Sequence, residues 1–298
     1  TTVLMYDHMR WDPSDPANAA SDRLVLSEGH AVPIIYAAGA DLGVGIVKQG
    51  EMTAMTRDDA MQLRAIDSPI DGHPHPVFGF PFFDAATGSL GQGLSVAAGL
   101  AAAARIDHLP KRVYCLIGDG EAREGQVWEA VDFIADQQLT AVCPIFNCNA
   151  FGQSDVVGEQ QGPDAIAAKL EAVGFKVALI DGHNPTEVKA ALEGHAAATA
   201  NLTGTPYAIV ARTTKGWGAE SMHGQGLHGK PVEEGDQMDT VMAELDATAK
   251  QVGAEWTDGD LNIPAIDLEA PALAEPTDPP TFTEAMQQYG KPEALEKG

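Results

Sequence analysis

The chain has 298 residues, 44% hydrophobic and 20% charged, which is ordinary globular material with room for one large α/β domain or two small ones. Its 43 acidic and 18 basic residues leave a net charge of −25, which argues against nucleic acid and anionic membranes as partners. No apolar run approaches the roughly twenty residues of a membrane span, and no signal-peptide pattern opens the chain, so a cytoplasmic setting is expected.

Val3, Leu4, Tyr6, Met9 and Trp11 read as the end of an amphipathic helix, and a turn cluster follows at 12–21. Leu24-Val25-Leu26 is a short buried strand that ends in Ser27-Glu28-Gly29-His30. Residues 31–40 read as a helix packed by small side chains. His30 follows a strand end directly, so it can bond a phosphate or simply cap that helix. A second amphipathic helix is expected over 57–66, with Met61, Leu63 and Ile66 on its apolar face. Ile70 to Pro76, carrying Gly72-His73-Pro74-His75, is a rigid loop in which either His could be merely solvated.

Thr87-Gly88-Ser89-Leu90-Gly91-Gln92-Gly93 leads into an alanine-rich helix reaching about Ile106. The spacing is not that of a dinucleotide fingerprint, and no acidic residue follows a second strand to hold a ribose. Val113 to Ile117 is an apolar β-run ending in Gly118-Asp119-Gly120; Val127, Trp128, Val131 and Ile134 then mark a helix. A second apolar run, 141–146, ends in Asn147-Cys148-Asn149. This is a βαβ unit, whose candidate groups sit where strands end. Asp119 offers a hard carboxylate oxygen and Asn149 an amide oxygen, and glycines beside Asp119 let a phosphate approach the backbone. Mg²⁺ takes few protein oxygens and shares its shell with phosphates, so Asp119, Asn149 and the Phe151 carbonyl would suffice. Two ordinary turns remain the plain alternative.

Further helices are expected at 165–173 and from Asn184 to about Ala198, and strands at 175–180 and 207–211. Asn184-Pro185-Thr186-Glu187 supplies an N-cap and Pro at the first helical position. His183 reads as a structural loop residue more than a catalyst. The last strand ends in Thr213-Thr214-Lys215-Gly216, where Lys215 suits a diphosphate or is solvated. Residues 233–252 hold a final helix. Pro264 to Pro280 is proline- and acid-rich and reads as a linker, with 281–298 loosely held, so the domain is expected to span 1–263. Cys115, Cys143 and Cys148 have no metal spacing and read as buried thiols.

Five strand ends thus carry polar groups, which points to an α/β fold: a doubly wound parallel sheet with helices on both faces. The Gly118-Asp119-Gly120 motif followed by Asn149 resembles the thiamine diphosphate motif. The stretches RLVLSEGHAVPIIYA, DGHP, ATGSLGQGL, VYCLIGDGEAREGQVWEA, NAFGQSD and LHGKPV resemble transketolases, nearest the animal-type branch, over about residues 3–235. That resemblance implies the diphosphate-binding domain of a thiamine diphosphate enzyme that moves a two-carbon ketol unit between sugar phosphates, with Mg²⁺ or Ca²⁺.

By resemblance, His30, His73 and His228 reach substrate, and His30 and His228 also meet the cofactor. Gly88, Ser89 and Leu90 lie along the thiamine; Gly120, Asn149, Gln153 and Lys215 bind it; and Glu124 sits at a dimer interface near the partner's catalytic acid. Asp119, Asn149 and Phe151 hold the metal. His223 competes with His228 for its place, though only His228 precedes Gly229-Lys230-Pro231. The family's first GHP histidine, its pyrimidine-binding domain with the catalytic Glu, and its C-terminal domain have no counterpart in this sequence. The chain is therefore expected to be a fragment or one subunit of a split enzyme, active only as a homodimer or with a pyrimidine-domain partner. Glu28 stands where the family often has Lys or Asn. A deoxyxylulose phosphate synthase, a ketoacid dehydrogenase subunit and a non-catalytic cofactor-binding module are the alternatives.

Overall fold

The computed structural model describes residues 1–76, 79–201, 203–224, 227–254 and 263–266. A five-residue π-turn, Leu4–His8, opens the chain and buries Leu4, Met5 and His8. Strand β1 (Arg23–Leu26) is wholly buried and feeds helix α1 (Val32–Leu42). Strands β2 (Gly45–Lys48) and β3 (Glu51–Ala54) pair as an antiparallel hairpin. Its two-residue loop has Gln49 at φ 54° and Gly50 at φ 86°, the left-handed pair that matches strand twist. Sequence pattern did not suggest this hairpin, because Gln-Gly is a weaker turn signal than Asn-Gly.

Helix α2 is shorter than expected, Arg57–Met61. Thr56 and Asp59 close a capping box at its start. The anticipated apolar face does not exist: Met61 is 78% exposed and Ile66 fully so, and only Leu63 packs on the core. With no surface to cover, the helix unwinds into turns before Ser68-Pro69.

Helix α3 (Gly93–Ile106), strand β4 (Val113–Gly118), helix α4 (Gly125–Asp136) and strand β5 (Val142–Cys148) follow. A two-residue hairpin pairs β6 (Phe151–Gly152) with β7 (Asp155–Val156). Then come α5 (Pro163–Ala172), β8 (Lys176–Asp181), α6 (Pro185–Ala198), β9 (Tyr207–Arg212) and α7 (Asp236–Gln251). Asn184 caps α6 by accepting from the Thr186 and Glu187 amides. Most of the stretch expected as a linker and loose tail, from residue 267 onward, lies outside the described residues.

The main sheet has strand order β1-β4-β5-β9-β8, all pairs parallel. Side chains alternate between its faces. Leu24, Leu26, Tyr114, Tyr207 and Ile209 face α1, α6 and the aromatic loop Phe80-Phe82-Phe83. Val25, Cys115, Ile117, Ala208 and Val210 face α3, α4 and α5. Helices cover both faces, so every strand's C-terminal end is brought to one edge, as the doubly wound expectation requires. Among the described residues no helix is long and apolar enough to cross a membrane.

Candidate functional site

A cleft of about 1060 Å³ opens along that edge. It is lined from five strand ends and the loops between them: Glu28 and His30, Asp119 and Gly120, Asn147 and Asn149, His183, and Thr213 to Trp217. His73, Gly88, Leu90, Phe151, Gln153 and His228 complete the wall. Of the residues singled out from sequence, His30, His73, Gly88, Leu90, Asp119, Gly120, Asn149, Phe151, Gln153, Lys215 and His228 therefore share one cavity. Ser89 is exposed beside it, and Glu124 is exposed at the start of α4, packed against Gly91. His223 is exposed outside the cleft wall, so the structure places His228, not His223, at the cavity.

Three loops are tied together by one buried carboxylate that sequence reasoning passed over. Glu121, 3% exposed, accepts from Ser27 Oγ at 2.5 Å and from the Gly91 amide at 2.7 Å. Its other oxygen accepts from the Gly118 amide at 3.1 Å. Ser27 Oγ in turn accepts from the Gly93 amide at 3.1 Å. One side chain thus fixes the ends of β1 and β4 and the turn into α3. Its place directly after Gly118-Asp119-Gly120 was the available signal, since an acid inside a tight turn has backbone donors within reach.

Asp119 is 1% exposed. Its Oδ1 accepts from the Gly120 amide at 2.7 Å and its Oδ2 from the Ala150 amide at 2.6 Å. Burial pushes its carboxyl above the usual range, against the pull of these amides. Asn149 Oδ1 accepts from the Phe151 amide at 2.9 Å, an Asx turn that folds the chain back so that the Phe151 carbonyl lies near Gly120. A Cβ on Gly120 would sit 2.8 Å from Gly152 Cα, which is why a glycine stands there. Asp119, Asn149 and Phe151 make a hard-oxygen set of one carboxylate, one amide and one carbonyl. Among the described residues no three His, Cys, Asp or Glu side chains gather as a metal site, so a cation held here must draw most of its ligands from something else.

The facing wall is basic. The His30 and His228 rings meet edge-on, centroids 5.0 Å apart, and His228 Nδ1 is 3.5 Å from Lys215 Nζ. Lys215 Nζ also donates to the Gln153 carbonyl and lies 5.7 Å over the Phe151 ring. The His73 ring lies against Gly88, where a Cβ would be 2.8 Å from Cδ2. Burial, and then the nearby His228, Lys215 and His73, hold His30 below the ordinary imidazole range. Burial and Lys215 do the same for His228. Burial likewise lowers Lys215, partly opposed by Asp119. In a chain of net charge −25, Lys215 and three histidines gather on one wall of the cleft, which favours an anion there.

The floor contains a second acid. Glu28 is 5% exposed, and Asn147 Nδ2 donates to its two oxygens at 3.3 and 3.4 Å. Thr213 Oγ1 donates to Asn147 Oδ1 at 2.6 Å, so the chain Glu28–Asn147–Thr213 links the ends of β1, β5 and β9. Burial raises the Glu28 carboxyl to about 7, with Glu121 and Asp119 adding to the shift and Asn147 opposing it.

A family model described as "Transketolase, thiamine diphosphate binding domain" matches residues 1–252. Among curated relatives, a transketolase of Pongo abelii is 40% identical over 232 residues, 77% of this chain and 34% of its own length. The human transketolase is 39% identical over the same extent. A 6-deoxy-6-sulfo-D-fructose transketolase subunit from a Clostridium strain is 34% identical over 75% of this chain and 76% of its own length. The transketolase structure of Campylobacter jejuni superimposes with a TM-score of 0.68 at 29% identity, covering 82% of this chain and 37% of that one. The chain therefore spans about a third of the length of the first of these relatives.

Proposed function

The chain belongs to the transketolase family through its thiamine diphosphate-binding domain, and from that premise we propose that it forms the diphosphate-holding half of a transketolase. The reaction is transfer of a two-carbon ketol unit from a ketose phosphate to an aldose phosphate. The observation that carries this reading is the pairing, in one cleft, of the Asp119–Asn149–Phe151 oxygen set with the His30–His73–Lys215–His228 wall.

The residues fit the cofactor with its metal. Asp119, Asn149 and the Phe151 carbonyl would hold Mg²⁺ or Ca²⁺, and the diphosphate would complete its shell. Gly88 and Gly120 let His73 and Gly152 pack close around the cleft, while Leu90, 39% exposed in it, offers an apolar surface for a ring. When bound, thiamine diphosphate supplies the electron sink that lets a carbon–carbon bond beside a carbonyl break and re-form. Lys215 offsets diphosphate charge. His30 and His228, kept below the ordinary imidazole range chiefly by burial, can donate to or accept from substrate oxygens near neutral pH, and His73 lines the same cleft. Gln153 steadies Lys215 through its carbonyl.

The reading makes residues 1–263 the cofactor-binding unit and assigns the acid that activates the pyrimidine ring to another half, on a homodimer partner or a separate chain. The Clostridium relative, which is named as a subunit, supports a two-chain arrangement. Three free, buried cysteines agree with a cytoplasmic setting. The test is ketol transfer from xylulose 5-phosphate. Purified chain alone should give none above background, because general acid–base help worth about 10²–10⁴-fold would be missing. Adding a pyrimidine-binding half should restore it. Full activity without that half, or restored activity only toward a 2-ketoacid, would refute the assignment.

A further inference from the structure

The turn between β8 and α6 is fastened to the loop that carries Lys215. The Gly182 amide donates to the Arg212 carbonyl at 2.8 Å, and a Cβ on Gly182 would stand 2.5 Å from Thr213 Cγ2. His183 adds two contacts, one from a ring nitrogen and one from the ring face. Its Nε2 accepts from the Thr214 amide at 2.8 Å, which requires a neutral ring with the proton on Nδ1. Its ring stacks on Trp217, centroids 4.5 Å apart and planes 8° apart. Thr214 and Trp217 bracket Lys215, and the Trp217 amide closes that turn on the Thr214 carbonyl at 3.1 Å. Both ends of the turn are thereby held by one side chain.

We infer that His183 is the positioning residue of the Lys215 loop: its unprotonated Nε2 holds the Thr214 amide and its ring seats Trp217, so that Lys215 is presented to the anion-binding part of the cleft. For its consequence the inference rests on the functional reading above, because Lys215 matters there as the diphosphate's partner.

A role of this kind has a pH signature. A protonated ring has no acceptor, so it cannot hold the Thr214 amide. Asp181, whose Oδ1 accepts from the His183 amide, faces the ring from its own turn and favours the proton. His223 faces it from beyond the loop and disfavours it. Glu187 of α6 is engaged with the Asp181 amide and Asn184 Nδ2, and Lys215 is the cation on the loop itself. Burial is the largest influence and keeps the ring below its ordinary range. The loop is therefore fastened at neutral pH and released as the pH falls through the ring's titration.

The experiment compares His183→Gln, whose amide oxygen can occupy the Nε2 position and does not titrate, with His183→Phe, which keeps the stack and loses the acceptor. In the full chain without ligand, exchange of the Thr214 amide should be slow in the native protein and in His183→Gln, and at least about tenfold faster in His183→Phe. Trp217 emission, taken as the difference from a Trp217→Phe protein, should change between about pH 8 and about pH 5 in the native chain but not in His183→Gln. Calorimetric titration with thiamine diphosphate and Mg²⁺ should show affinity lowered about tenfold in His183→Phe and within about threefold of native in His183→Gln. Equal exchange in all three proteins, or a loss in His183→Gln as large as in His183→Phe, overturns the inference. If the native chain binds no thiamine diphosphate, the functional reading fails, while the ligand-free exchange and emission still decide the role of His183.

Discussion

Glu28→Gln should stabilise the chain at alkaline pH, which is unusual for a change at a buried, hydrogen-bonded position. The amide oxygen of the substituted side chain can still accept from Asn147 Nδ2, so the link from this position through Asn147 to Thr213 survives. What is removed is a charge that burial opposes. Glu28 titrates at about 7 in the fold, against its ordinary value of 4.5. Between those two values the folded chain holds the proton that the unfolded chain has lost, so native stability falls as pH rises across that window. Above it the full cost is present, roughly 3 kcal/mol. Below about pH 4.5 both states are protonated and the cost vanishes. Urea unfolding of both proteins at about pH 8 and about pH 5 measures the double difference, which should be roughly 2–3 kcal/mol in favour of the variant at the higher pH. Asp119, also raised by burial, titrates in both proteins, so only its weaker coupling to Glu28 remains in the difference. Parallel stability–pH curves would refute the reasoning, and so would a variant less stable at about pH 8, since either would mean that the Glu28 charge is well compensated.

Two further outcomes follow from the geometry. In the complete enzyme, His228→Ala should lower turnover and His223→Ala should leave it nearly unchanged, because His228 lines the cleft beside His30 and Lys215 and His223 does not; equal losses in steady-state assays would reverse that assignment. At the opposite edge of the sheet, Asp22→Asn should cost about 3–5 kcal/mol, since Asp22 is 2% exposed and ion-pairs with Arg10 at 2.9 Å and Arg112 at 2.7 Å, and the largely buried Arg112 would lose its ion pair with this carboxylate. Burial works to raise the Asp22 carboxyl, but Arg10 and Arg112 together keep it below the usual range. Its stabilisation is therefore complete above the ordinary carboxylate range and lost as pH falls through the lowered value. Chemical denaturation showing a loss below about 1 kcal/mol would refute it.

The parallel sheet was legible because each of its strands is an apolar run closed by a polar turn, from Leu24-Val25-Leu26 to Tyr207–Arg212. Such runs announce strands buried on both faces. The site was legible to the extent that it sits on those strand ends. Three things were not. The β2–β3 hairpin pairs exposed residues, Val47 and Met52 among them, and so leaves no clear apolar alternation. The helix over 57–66 had the right spacing but nothing to pack against, which only tertiary structure reveals. The Glu121 and Glu28 networks join groups as far apart as Glu28 and Asn147, 119 residues, and no local pattern encodes such a pairing.

Under the function proposed above, this cleft binds a diphosphate through a metal held by Asp119, Asn149 and the Phe151 carbonyl. Calorimetric titration of the full chain with thiamine diphosphate, with Mg²⁺ and after chelation, tests it most directly when repeated on Asp119→Ala. Binding should be metal-dependent and weaken at least about tenfold, or about 1.4 kcal/mol, when either the metal or the Asp119 carboxylate is removed. Binding indifferent to Mg²⁺, or an Asp119→Ala chain that binds as tightly as the native one, would contradict it.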